Sequence, residues 1–164
     1  MNFRRIILAI GIASIVSVST YAQDAADPRV AEALDSLGIK YSVNSSNNYK
    51  VVYRMDNDPD RSHLVFVVSK TSIYRSVEIR EIWSIAAILD EYPDSEMIHR
   101  LLSMNSTTKI GAWAIEESED GEIWLMYTTK ILAGLKPEEL KDTIYFVAEV
   151  CDEMEAELVG DDNY

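Results

Sequence analysis

Apolar positions along the chain repeat with two periods. Val30, Leu34 and Leu37 recur at spacings of three and four, which predicts a helix over Pro28 to Leu37. Asp27 is a natural N-cap, Pro28 suits the first helical position and Gly38 follows as a stop. The period then falls to two. Lys40 to Val43 reads as a strand, and the polar run from Asn44 to Asn48 as a turn. Tyr49 to Met55 alternates, with Tyr49, Val51, Tyr53 and Met55 on one face. Ser62 to Lys70 is apolar on both faces, as expected of a central strand. Ile73 to Ile82 alternates again, so the block reads as a three-strand antiparallel meander. Trp83 to Leu89 fits either a short helix or an irregular buried segment, ended by Pro93.

The second half is simpler. Asp94 can cap a helix reaching Met104, with Met97, Ile98, Leu101 and Leu102 as its apolar face. Lys109 to Glu117 and Glu122 to Lys130 flank Ser118-Glu119-Asp120-Gly121, whose Asp-Gly pair predicts a hairpin turn. With Glu117 opposite Glu122, one face carries Trp113, Ile115, Trp124 and Met126, and the other Ala112, Ala114, Ile123, Leu125 and Tyr127. Both faces are apolar, so both call for cover, and the first four residues form the candidate interaction surface. Leu140, Ile144, Val147, Cys151, Met154 and Leu158 make one stripe along a long helix that starts at Pro137.

The expected architecture is α+β: an antiparallel sheet of five strands, meander plus hairpin, with three helices in the order α-β-β-β-α-β-β-α. Residues 1–22 stand apart from it. Met1 to Arg5 is basic, Ile6 to Val18 is apolar, and Thr20-Tyr21-Ala22 offers the small residues of a cleavage site. That is the pattern of a secretory signal peptide cut after Ala22, with an apolar run shorter than a membrane span needs. It predicts a periplasmic or secreted protein without a stable membrane anchor. Residues 27–158 then form a single domain, and 159–164 a mobile acidic tail.

Charge narrows the function classes. The 164-residue chain has a formal net charge of −13, and loss of Arg4 and Arg5 with the leader makes it −15. Such an acidic surface opposes binding to nucleic acid through its phosphates. An apolar share of 48% suits a folded core. The single cysteine, Cys151, excludes an internal disulfide framework, and its place in the apolar stripe reads as a buried, inert thiol.

Candidate chemistry is sparse. Asp56-Asn57-Asp58-Pro59-Asp60 begins like a calcium loop, but Arg61 stands where the turn glycine belongs and Val67 where the bidentate glutamate belongs. It reads as a solvated turn. His63 and His99 are the only histidines and lie in no metal-ligand spacing, with His99 on the exposed side of its helix. The acids Glu116, Glu117, Glu119, Asp120 and Glu122, and Asp152, Glu153, Glu155 and Glu157, read as solvated surface. Asn44-Ser45-Ser46 and Asn105-Ser106-Thr107 match glycosylation sequons but read as turn and helix-end residues. No phosphate loop, nucleophile elbow or zinc-protease motif occurs.

Four segments carry a resemblance. Val77-Glu78-Ile79-Arg80-Glu81-Ile82-Trp83, Leu101-Leu102-Ser103-Met104-Asn105, Lys109-Ile110-Gly111-Ala112-Trp113 and Val147 to Glu155 are similar to segments of the YbjN family of small bacterial proteins. That family shares the fold of type III secretion chaperones, and the likeness runs from about Leu34 to Leu158. It implies an α+β fold, no enzymatic chemistry, no cofactor, and dimerisation or protein binding. The leader is a departure, because secretion chaperones act on cytoplasmic cargo. The expected role is therefore an exported, non-enzymatic interaction or chaperone-like module. It would be a homodimer or the partner of another envelope protein. The alternative is a carrier of a small apolar ligand, with Trp83, Tyr127 and methionines lining its cavity.

Overall fold

The computed structural model describes residues 25–56 and 58–160. The predicted leader, 1–22, and the tail beyond residue 160 lie outside them. Among the described residues the elements run α1 (Pro28–Ser36), β1 (Ser42–Val43), β2 (Tyr49–Arg54), β3 (Ser62–Val67), β4 (Ser72–Tyr74), β5 (Val77–Leu89), α2 (Ser95–Asn105), β6 (Ala112–Glu117), β7 (Ile123–Leu132) and α3 (Pro137–Leu158). The sheet is antiparallel in the order β1-β2-β3-β5-β7-β6, with β4 paired to β5. The α+β class stands, with seven strands rather than five.

One of the two extra strands is β1, which lies outside the three-strand meander; the other has a local cause. The expected strand over Ile73 to Ile82 breaks at Arg75, whose φ of 56° turns the chain back so that Tyr74 pairs with Val77. The ambiguous Trp83 to Leu89 continues β5 to 13 residues. A bulge between Ile85 and Ala87 shifts its register against β7, which blurred the alternation there.

Helix ends follow the capping residues. Asp27 accepts the Arg29 N–H (3.0 Å) and Asp94 accepts that of Met97 (2.8 Å). Gly38, at φ 67°, closes α1. In α3, Lys136 N–H donates to Glu139 Oε2 (3.0 Å). The helix buries Leu140, Ile144, Val147, Cys151 and Met154 on the sheet. Each large apolar side chain so enclosed is worth about 1.5–3 kcal/mol. Docking thus secures α3, and Ile144→Ala is expected to cost about 2–5 kcal/mol.

All three helices share one face of the sheet. Beneath them lie Tyr49, Val51, Val65, Val67, Ile82, Leu125 and Tyr127, all buried. Tyr127 meets Trp113 edge-on at 5.1 Å and Phe146 of α3 at 6.2 Å. Its hydroxyl donates to Ile110 O and meets Thr108 Oγ1 at 2.7 Å. Gly111 (φ 77°) is required beside it, since a Cβ there would come within 2.7 Å of the Tyr127 ring. α2 closes the β6 side: the Asn105 amide accepts the Trp113 N–H (2.7 Å) and donates to the Trp113 carbonyl (3.2 Å), taking the place of a neighbouring strand at one residue. The expected apolar face of α2 is only partly covered, with Leu101 buried and Ile98 and Leu102 exposed.

Candidate functional site

The hairpin register decides what the four predicted surface residues can do. Ser118 N–H donates to Glu122 O (2.8 Å), and Gly121 (φ 83°) closes a three-residue loop. Glu117 therefore faces Ile123, not Glu122, and one strand slides by a residue against the expected pairing. Because side chains alternate, that slip exchanges the faces of one strand. Trp113 and Ile115 pair with Tyr127 and Leu125 on the helix-covered face. Trp124 and Met126 lie on the opposite one, across from Glu116 and Ala114. The four do not form one surface, and Trp113 is 7% exposed in the core.

The opposite face carries no helix among the described residues. Phe66 stacks on Trp83 at 4.2 Å, and Trp83 on Trp124 at 6.2 Å. This aromatic row crosses β3, β5 and β7. Val52 (64% exposed), Ile88 and Leu132 add open apolar area on the same face. Its flanks differ in charge. Lys50 and Arg54 alternate with Val52 along β2, while Glu116 of β6 and Glu122 stand at the far side, Glu122 accepting the Trp124 indole N–H at 3.0 Å. The rungs are continuous: Lys50, Phe66, Trp83, Thr128 and Ala112 are successive partners. Arg54 and Glu116 each lie four residues along their outer strands from that rung.

Beneath α3 lies a polar cluster that the sequence did not disclose. Asp152 and Glu155, expected on the surface, are buried, while Glu153 and Glu157 of the same run are exposed. Arg61 Nε donates to Asp152 Oδ1 (2.9 Å), and Arg61 Nη2 stands 3.5 Å from Glu155 Oε2. His63, fully buried, places Nδ1 3.3 Å from Glu155 Oε2 and Nε2 3.1 Å from Ile85 O. The sequence signal was present but faint. Ala148, Asp152 and Glu155 continue helical spacing beside the apolar stripe, and Arg61 and His63 share a strand face. Donor atoms of His63, Asp152 and Glu155 lie within 4.8 Å of one another, close enough to hold a metal ion. The Arg61 guanidinium already reaches both carboxylates and supplies the positive charge there.

Cys151 is buried, with Sγ 3.6 Å from Ser84 O. Burial pushes its thiol up to about 12, which leaves it without nucleophilic character. His99 is exposed, as expected. Asn44 accepts two backbone N–H groups of its own turn, those of Ser46 and Asn48. Trp83 and Tyr127 lie on opposite faces of the sheet and line no common cavity.

An antiparallel sheet with all helices on one face defines the class, and comparison with solved structures gives it a likeness. The fold is YbjN-like: the crystal structure of YbjN from E. coli, a protein proposed to regulate transcription, matches with a TM-score of 0.50. The match covers 78% of this chain and 86% of that one, at 9% sequence identity. No protein-family model matches the chain, and no curated protein does.

Proposed function

We propose that this chain is an exported, non-enzymatic protein-interaction module that pairs with a second copy of itself through its open sheet face. The aromatic row Phe66–Trp83–Trp124 carries the reading, since a helix-free face of that composition is the anatomy of an interface core. The flanking charges favour a second copy as its occupant. A two-fold axis parallel to the strands lays the β2 flank of one copy over the β6 flank of the other, with the sheets ~10 Å apart. Arg54 then lies over the β6 flank that carries Glu116 of the second copy, and the reciprocal pair forms opposite. Homodimerisation and chaperone-like binding both suit the fold. The net charge of −13 opposes direct DNA binding, so a regulatory role like that proposed for YbjN would act through protein contacts.

Charge reversal across the interface tests the pairing. By sedimentation, Arg54→Glu and Glu116→Arg each weaken the dimer about tenfold or more, and the double variant recovers it. A wild-type monomer at ~0.1 mM, or a double variant no better than the singles, overturns the pairing. The carrier alternative draws on a cleft of about 390 Å³ lined by Leu89, Tyr92, Met97, Leu125 and Leu158. An apolar molecule co-purifying with monomeric protein would favour it.

A further inference from the structure

The open face leaves His63 and Glu155 unused, and both are fully enclosed. Their atoms fix a proton count. Nε2 of His63 faces the Ile85 carbonyl at 3.1 Å; a carbonyl only accepts, so Nε2 carries a hydrogen. Nδ1 faces Glu155 Oε2 at 3.3 Å. Without a further proton, an imidazole lone pair would confront a carboxylate oxygen. Charge counting leads to the same place. Arg61 contributes one positive charge against the two negative charges of Asp152 and Glu155. One proton on the histidine–glutamate couple balances these three charges, which stand where water is excluded.

We propose that His63 and Glu155 hold one proton between them as a structural component of the fold, and that its release is a pH-operated latch joining β3 to α3. Around the couple stand Arg61 from the turn before β3, Tyr53 of β2 opposite His63, and Cys151 and Asp152 of α3. Burial holds both the Tyr53 phenol and the Cys151 thiol neutral through the working range. β5 presents the carbonyls of Ser84 and Ile85.

The direction follows from counting protons in each state. In the unfolded chain Glu155 ionises near ~4.3 and His63 loses its proton near ~6.5. Between those values folded and unfolded chains hold one proton alike. Above ~6.5 only the folded state holds it, so the unfolding constant rises about tenfold per pH unit until the folded couple lets go. Below ~4.3 the unfolded chain binds two and the folded chain one, so acid also unfolds it.

Two measurements on the whole protein decide the matter. In imidazole NMR from pH 5 to 8, the His63 ring signals stay unchanged. In urea titrations over pH 5 to 9, Glu155→Gln loses the tenfold-per-unit rise. Its amide can donate to Nδ1, and Arg61 then balances Asp152 without a proton. A His63 that titrates between pH 5 and 8, or a Glu155→Gln variant that keeps the wild-type slope, overturns the latch. The NMR result stands on wild-type protein alone, so it decides even if the variant fails to fold. Neither readout depends on dimer formation through the other sheet face.

Discussion

Arg80 and Arg61 are both drawn under helices against carboxylates, but their networks are balanced by different means. Arg80, 1% exposed on β5, donates to Asp27 at the start of α1 and to the carbonyls of Val68 and Ser69. Arg29 joins it, reaching Asp27 (2.6 Å) and Glu78 (2.7 Å). Two guanidiniums thus meet two carboxylates, and the network is neutral with every charge supplied by the chain. Burial alone would raise Asp27, but hydrogen bonds from Arg29 and Arg80 hold its carboxyl well below the ordinary range. Those from Arg29 and Thr71 bring Glu78 down to about 2. In the Arg61 network one guanidinium meets two carboxylates, and the proposed shared proton supplies the remaining charge. One anchor is built into the sequence, and the other is set by the medium.

The comparison breaks most visibly at Arg80. Arg80→Met strips Asp27 of a partner and leaves two carbonyls unsatisfied, at an expected cost of about 3–5 kcal/mol in urea unfolding at neutral pH. A cost under ~1 kcal/mol would mean that the site is already wet. Arg61→Met comes next, at about 1–3 kcal/mol, because it removes the donor that reaches both carboxylates. Equal losses at Arg61 and Arg80 would erase the distinction.

Acid sharpens the contrast from the other side. Asp27 contributes stability that is fully present above its unfolded value of ~3.9 and is lost as pH falls through its lower folded value. Asp27→Asn should flatten that acid limb and leave the alkaline limb intact. The smallest effect is expected at Arg29, whose side chain is 46% exposed. Arg29→Ala should shift the urea midpoint at low salt and not at 1 M salt, where exposed pairs are screened.

These networks mark where sequence reading stops. α1, α2 and α3 were legible because Asp27, Asp94, Pro28 and Pro137 fix helix starts locally. β2 and β3 were legible from alternation alone. β5 was not, since its bulge interrupts the period and its interior position removes polar residues from one stretch. The hairpin's existence was plain, but its register turned on whether Ser118 pairs with Glu122, a one-residue matter that reversed the faces of Trp113 and Trp124. Asp152 and Glu155 read as solvated because charge normally lies outside. Their burial depends on Arg61, 91 positions away from Asp152, which no local pattern can announce.

Asn105 has a wider consequence. A strand at the rim of a sheet displays unused N–H and C=O groups onto which another molecule can add, and repeated addition yields fibres. At the β6 rim the Asn105 amide already occupies both groups of Trp113, and the β1 rim is two residues long. Edgewise growth is thereby obstructed at Trp113 on one rim and along Tyr49 and Lys50 on the other. Blocking a rim favours closed, countable assemblies over fibres, and loss of the Asn105 amide would expose the Trp113 groups to addition.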